Sequence, residues 1–234
     1  MIEQNKALVR QWLDEVLMQG DTRCINELFA PNYVLHDPSL VREVHGREGV
    51  KQYAATFRAA SPDVCFVIED QIAEGDMVAT RWTAHGTHQG MFLGVPTTGE
   101  QVKVTGMEFD RIVDDKIDES WVSYHLSTDS PLNPERVERV FAMIQCAFPD
   151  LHVAHADSVT EGDKVAFRWM LSGTHKGELM GVAPTGERVT AMGIDMICVA
   201  DGEILGYWGE FDVLGMLRQL GITPPPERVE RKPS

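Results

Sequence analysis

The stretch from Trp82 to Gly99, WTAHGTHQGMFLGVPTTG, returns 87 positions later as Trp169 to Gly186, WMLSGTHKGELMGVAPTG. The match runs without a gap from Pro62–His125 onto Pro149–Asp212, with 24 identities in 64 pairs. A fixed offset over that length marks one duplicated supersecondary unit. Two copies make a pair of related domains and not a solenoid, which needs several stacked repeats. A chain of 234 residues suits one large domain or two small ones, and the duplication decides for two.

Ahead of the repeat, residues 3–18 place Leu8, Val9, Trp12, Leu13, Val16 and Leu17 on one helical face. Gly20-Asp21 ends that helix, a short second one follows through Ile25, Leu28 and Phe29, and Arg47–Ala60 reads as a third. The pattern then changes period. Val64–Ile72, Met77–His85, Gln101–Val113 and Lys116–Leu126 read as strands, with turns at Glu74-Gly75-Asp76 and Asp114-Asp115. Helices first and an antiparallel meander after them predict an α+β domain, a curved sheet with helices on one face. The second copy repeats the third helix as Glu135–Ala147 and the strands as Leu151–Val159, Lys164–Leu171, Arg188–Val199 and Glu203–Val213. It has no counterpart of residues 1–46 and adds a short helix, Val213–Leu220. The expected division is a complete domain at 1–128, a linker at 129–134, a truncated domain at 135–222 and a disordered Pro-rich tail at 223–234.

The net charge of −15 argues against nucleic acid or an anionic membrane surface as partner, because both need a cationic face. No apolar run approaches the ~20 residues of a membrane span, and the start MIEQNKALVRQWL lacks the apolar core of a signal peptide. Cys24, Cys65, Cys146 and Cys198 show neither CxxC pairing nor metal-ligand spacing, so free thiols in a reducing cytoplasm are expected.

The motifs ELFAPNYVLHDP, GREGVKQY, EDQIAEGD, RWTAHGTHQG, FLGVPTTG and the closing FDVLGMLRQLG resemble the SnoaL-like polyketide cyclase family, of the cystatin-like cone fold. The resemblance covers residues 1–126 as a nearly complete unit and 134–222 as a truncated one. It implies two tandem cone-shaped domains. It also implies a cofactor-free cyclase that closes a hydrophobic polyketide-like ring by intramolecular aldol addition, with an aspartate near the end of the last strand as acid/base. That position is Asp212 in the second copy and His125 in the first. The same fold also serves non-catalytic small-molecule binders and epoxide hydrolases, the latter needing an Asp–Arg–Asp trio around a water.

Hairpin geometry adds an independent expectation. A two-residue turn at Asp114-Asp115 sets Val113 opposite Lys116 and Glu108 opposite Trp121. Glu108, Asp110, Glu119, Trp121, Ser123 and His125 then point to one face, which its acids assign to the concave pocket. In the second copy the same register sets Asp195 opposite Trp208, with Glu210 and Asp212 beyond. Asp212, Asp195, His125 and Glu108 are therefore the catalytic candidates. A carboxyl beside apolar walls and a second acid gains the raised pKa that proton transfer uses. Asp212 alternatively caps the last helix. Tyr33 and His36 stand where the family's loop closes the pocket, and Trp82, Trp121, Trp169 and Trp208 are candidate walls. His88 and His175 either orient substrate or hold their GTH turns; Arg81 and Arg168 either bind an anion or form structural ion pairs. No metal set is apparent. The uncovered sheet of the second copy predicts a homodimer.

Overall fold

The computed structural model describes residues 1–40, 42–91, 97–126 and 134–221. Residues 129–133 of the expected 129–134 linker and the whole expected tail at 223–234 lie outside the described residues. Helix α1 (Ile2–Gln11) continues as a π-helical stretch, Trp12–Met18, and Gly20 turns the chain out at φ +76°. Helix α2 (Ile25–Leu28), strands β1 (Phe29–His36) and β2 (Val44–His45), and α3 (Gly46–Ala60) complete the part that only the first copy has in full. Strands β3 (Cys65–Glu74), β4 (Met77–Thr87), β5 (Gln101–Val113) and β6 (Lys116–Leu126) form the meander. The six strands lie in the order β2-β1-β6-β5-β4-β3, with β1 parallel to β6 and every other pair antiparallel. The second copy supplies α4 (Pro134–Ala147), strands β7 (His152–Glu161), β8 (Lys164–Thr174), β9 (Arg188–Ala200) and β10 (Glu203–Phe211), and α5 (Val213–Gln219). Its sheet has four strands, β10-β9-β8-β7.

The apolar spacing in the N-terminal helix does what its period requires. Val9, Trp12, Leu13, Val16 and Leu17 are buried against the concave face of the first sheet, in one core with Phe29, Tyr33, Phe66 and Trp82. Gly106 makes this packing possible, since a Cβ there would collide with the Trp82 indole; Gly193 stands in the same relation to Trp169. The second cone is built on α4 and α5: Ile144, Phe148, Leu171, Val189, Met216 and Leu220 close one end. Toward the other end Phe167 and Tyr207 are half-buried and Leu205 is exposed.

The backs of the two sheets pack on each other. Ile72, Ala79, Met107, Phe109 and Trp121 of the first copy meet Val159, Ala166, Ile194 and Met196 of the second in one buried cluster. Around it the copies exchange matched contacts. The Arg168 guanidinium lies 4.0 Å over the Trp121 ring and Arg81 lies 4.6 Å over Trp208. Arg81 is held by Asp70, which also binds Lys164, and Arg168 by Asp157, so both arginines are structural ion-pair partners. Lys6 donates to Glu161 at 2.7 Å, and His125 pairs with Glu210 across the interface. The chain thus holds two sheets back to back, as a two-fold dimer does.

The strand register corrects the expected faces. Val113 does pair with Lys116, and Asp114 and Asp115 adopt φ of 49° and 56°, the left-handed pair that a tight hairpin needs. A bulge at Asp118 then shifts β6 by one residue, so that Arg111 pairs with Glu119, Phe109 with Trp121 and Glu108 with Val122. The second copy carries its bulge at Leu205, the aligned position. Trp208 accordingly pairs with Met196, and Asp195 with Gly209. Glu108 and Asp110 keep the cone side. Glu119, Trp121, Ser123 and His125, with Trp208 and Glu210, pass to the back.

Trp121 is 7% exposed, between His36 stacked at 5.3 Å and Arg168 on the second copy. Trp121→Ala is expected to destabilise the whole chain by roughly 3–5 kcal/mol, the usual effect of emptying a large aromatic site. Thermal unfolding will show it as a lowered, single transition; an unchanged midpoint would mean that the two sheets are not energetically coupled there.

Candidate active site

In the first copy the helices and the sheet enclose a cavity of about 20 Å³ for the centre of a water-sized molecule. Trp12, Leu13, Tyr33, Tyr53, Trp82 and Tyr124 wall it, and Glu108 and Ser120 supply its polar floor. Strand β5 delivers Glu108 and, two residues on, Asp110 to the same side. Asp110 Oδ1 accepts a 2.5 Å hydrogen bond from Ser120 Oγ. Three buried polar atoms here have no hydrogen-bond partner among the described residues: Trp82 Nε1, Glu108 Oε1 and Asp110 Oδ2. An unpaired buried polar atom costs on the order of 1–3 kcal/mol, and nothing in the fold offsets that cost for these three.

Electrostatics point the same way. Burial, then the nearby Asp110 charge, pushes the Glu108 carboxyl well above the usual carboxylate range. Burial pushes Asp110 up to about 7, against the Ser120 hydrogen bond that favours its ionised form. Two acids two positions apart on one face cannot both ionise cheaply, and the pair titrates as a unit.

A second polar group lies at the mouth. Asp37 accepts from the Ser39 backbone N–H at 2.9 Å, from the Ser39 hydroxyl, and from Tyr124 Oη at 3.1 Å, with Tyr53 Oη at 3.5 Å. Burial raises its pKa too. His36, its neighbour, turns away from the cone and lies between Glu43 and Glu119 at 2.7 Å from each. The HDP loop therefore reaches the mouth through Asp37 rather than His36, and Ser120, Tyr53 and Tyr124 are lining residues that sequence reasoning passed over. Tyr33 and Trp82 do line the cavity. Trp121 and His125 do not.

The equivalent site of the second copy has been rewritten. Asp195 stands where Glu108 does, but Ile197 replaces Asp110, Tyr207 replaces Ser120 and Phe211 replaces Tyr124. The shorter acid is tied up: Asp195 Oδ2 accepts from Trp169 Nε1 at 2.8 Å, and Tyr207 also hydrogen-bonds it. Burial raises Asp195 to about 6. Trp208 faces the interface. Asp212 caps α5, its Oδ1 accepting from Gly215 N at 2.7 Å, so the capping alternative accounts for its geometry. His88 and His175 are buried in their turns, Nδ1 at 3.3 and 3.1 Å from Thr98 and Thr185 Oγ1 and outside the cone cavity. No arginine lines the cone cavity, so the Asp–Arg–Asp trio of an epoxide hydrolase is absent from its described lining.

The comparisons with known proteins agree with this architecture. The family model for SnoaL-like polyketide cyclases matches twice, over residues 7–129 and 122–220. The chain belongs to that family, in a tandem arrangement. It is 39% identical over 71 residues to the aklanonic acid methyl ester cyclase AcmA of Streptomyces galilaeus, covering 30% of this chain and 49% of that one. With the aklanonic acid methyl ester cyclase DnrD of Streptomyces peucetius it is 32% identical over 96 residues, 40% of this chain and 66% of the relative. The chain therefore spans about half to two thirds of the curated relatives it matches. Among solved structures, IdmH from Streptomyces antibioticus aligns at 32% identity with a TM-score of 0.45, covering 52% of this chain and 91% of that one. Among the described residues no helix is long and apolar enough to cross a membrane.

Asp110 sets a pH dependence with a definite sign. Its folded pKa of about 7 lies above the unfolded ~3.9, so the folded state binds the extra proton between those values and stability falls as pH rises through that window. Asp110→Asn removes this dependence. The variant should gain on the wild type by about 1.4 kcal/mol, or ~2–5 °C, per pH unit within the window. Melting curves from pH 4 to about 8 test it, and parallel curves for the two proteins would contradict the assignment.

Proposed function

We propose that the first cone is an acid/base site for a cofactor-independent ring closure or isomerisation of a hydrophobic, polyketide-like substrate in the cytosol. The observation that carries this reading is the set of unpaired buried atoms on Glu108, Trp82 and Asp110. The names of the two relatives, both cyclases of a methyl ester, support ring closure as the reaction class.

The chemistry follows from the pair. Near neutral pH Glu108 and Asp110 together hold between one and two protons. In the minor protonation form, with the charge on Glu108 and the proton on Asp110, Glu108, which faces the cavity, takes a proton from a carbon flanked by carbonyls. The resulting enolate attacks a second carbonyl of the same molecule and forms the new carbon–carbon bond. The alkoxide then takes the proton back from the Glu108 carboxyl, so atoms and charge balance without a further reagent. The Trp82 indole N–H is the donor available to the developing oxyanion. Asp110 acts through Glu108, its charge raising the proton affinity of that carboxyl beyond what burial alone does. A cavity for one water-sized molecule admits such a substrate only if the Trp12–Leu17 segment and α3 move off the sheet.

Deuterium exchange at the acidic C–H of a 1,3-diketone in D2O isolates the first step from any particular ring. Wild-type protein should catalyse it, and Glu108→Gln should slow it by ~10²–10⁴. Asp195→Asn and Asp212→Ser should stay within a few-fold of wild type. Equal exchange in Glu108→Gln would remove Glu108 from the mechanism and leave ligand binding without catalysis as the function of the cone.

We propose further that the chain is a homodimer. The open end of the second cone, with Phe167 and Tyr207 half-buried and Leu205 66% exposed, supports a second chain as its cover. Light scattering should give twice the 26.1 kDa of one chain, and a monomeric mass would reject the dimer.

A further inference from the structure

A second opening lies between the copies and outside both cones. It has a volume of about 510 Å³, within the range of small-molecule sites. Pro38 and Leu40 of the first copy form one wall, and Met170 and Met192 of the second form the other. Asp212 and Arg218 close one end. The apolar walls are adaptable, since an unbranched thioether reshapes around different ligands, and Met170 is 42% exposed although it belongs to a central strand.

The polar end is built rather than incidental. Asp212 is only 8% exposed. Its Oδ1 is committed to the Gly215 N–H, while Oδ2 makes no hydrogen bond within the described residues and sits over Gly215, where a side chain would displace it. Arg218 Nη1 donates to the Ser39 carbonyl at 2.6 Å, fixing the first copy's loop against the second copy's helix. Gln219 and the Thr190 backbone bond each other at 2.7 and 2.9 Å and stiffen the remaining wall. A carboxylate oxygen without a hydrogen-bond partner, open to a cleft with methionine in its wall, asks for a hydroxyl donor on an otherwise apolar body.

We propose that this cleft is a second binding site, taking a mainly apolar molecule whose phenol-type hydroxyl donates to Asp212. The site draws on both copies and exists only because they are fused back to back. It is independent of the reaction in the first cone.

Full-length protein labelled with ¹³C at the methionine methyls and titrated with 2-naphthol tests this directly. The Met170 and Met192 signals, assigned through Met170→Leu and Met192→Leu, should move saturably. Those of Met107 and Met196, in the sealed inter-sheet cluster, should not. Asp212→Ser keeps a capping oxygen for α5 and removes the carboxylate. It should weaken 2-naphthol binding roughly three- to tenfold while leaving naphthalene binding unchanged. A thermal melt close to wild type confirms that the variant is folded, and a Met170 or Met192 shift with naphthalene alone gives the apolar baseline. The proposal is overturned if 2-naphthol moves only Met18, beside the first cone, if it binds no better than naphthalene, or if neither cleft signal moves. It is equally overturned if removing residues 222–234 shifts Met170 and Met192 without any probe, for the cleft would then be filled by the chain itself.

Discussion

The two sheets bury each other's backs, and every other feature of the molecule takes its position from that contact. Trp121 lies under Arg168 and Trp208 under Arg81, so each copy presents a tryptophan to the other's arginine. The arginines are in turn anchored by Asp157 and Asp70. A cation held by its own carboxylate over an aromatic face excludes water without leaving a charge unpaired, which is what a buried interface needs. With both backs covered, ligands are left the concave faces and the rim between the copies.

The duplication has let the two concave faces diverge. The first keeps its helical cover and a pair of acids, Glu108 and Asp110, each with one buried oxygen that the fold leaves unpaired. The second has lost the cover, and its remaining acid is consumed by Trp169 and Tyr207. A satisfied acid stabilises a domain; an unsatisfied one is a cost that persists for a use. The second copy therefore reads as a structural partner whose residues have been retuned for packing, and which lends Arg218 to the loop beside the first copy's mouth.

Much of this was legible in the sequence. The repeat gave two units, the change of period gave helices before strands, and Asp114-Asp115 gave the hairpin. The register failed at one residue. Ile117 and Val122 are both buried on the cone side of β6, yet an unbroken strand puts residues an odd number apart on opposite faces. That spacing was the available signal for the bulge at Asp118. It was masked because Trp121, next to Val122, is equally apolar and satisfies the other parity. The cost fell on the site: Trp121 and His125 were assigned to the pocket they back, and Trp208 likewise. Glu108 was unaffected because β5 carries no bulge before it. Tyr124 escaped notice because its meeting with Asp37 depends on the parallel pairing of β1 with β6, a contact between residues 87 positions apart that no local pattern encodes.

The claim on which this account turns is that Glu108 and Asp110 share protons in the cone of the first copy. Side-chain carboxyl ¹³C shifts followed by NMR across the acid-to-alkaline range measure it without a substrate. The account predicts that Asp110 titrates near 7, that Glu108 titrates well above the ordinary carboxylate range, and that Asp110→Asn lowers the Glu108 midpoint by removing the charge beside it. Both carboxyls titrating independently near the ordinary ~4 would contradict it.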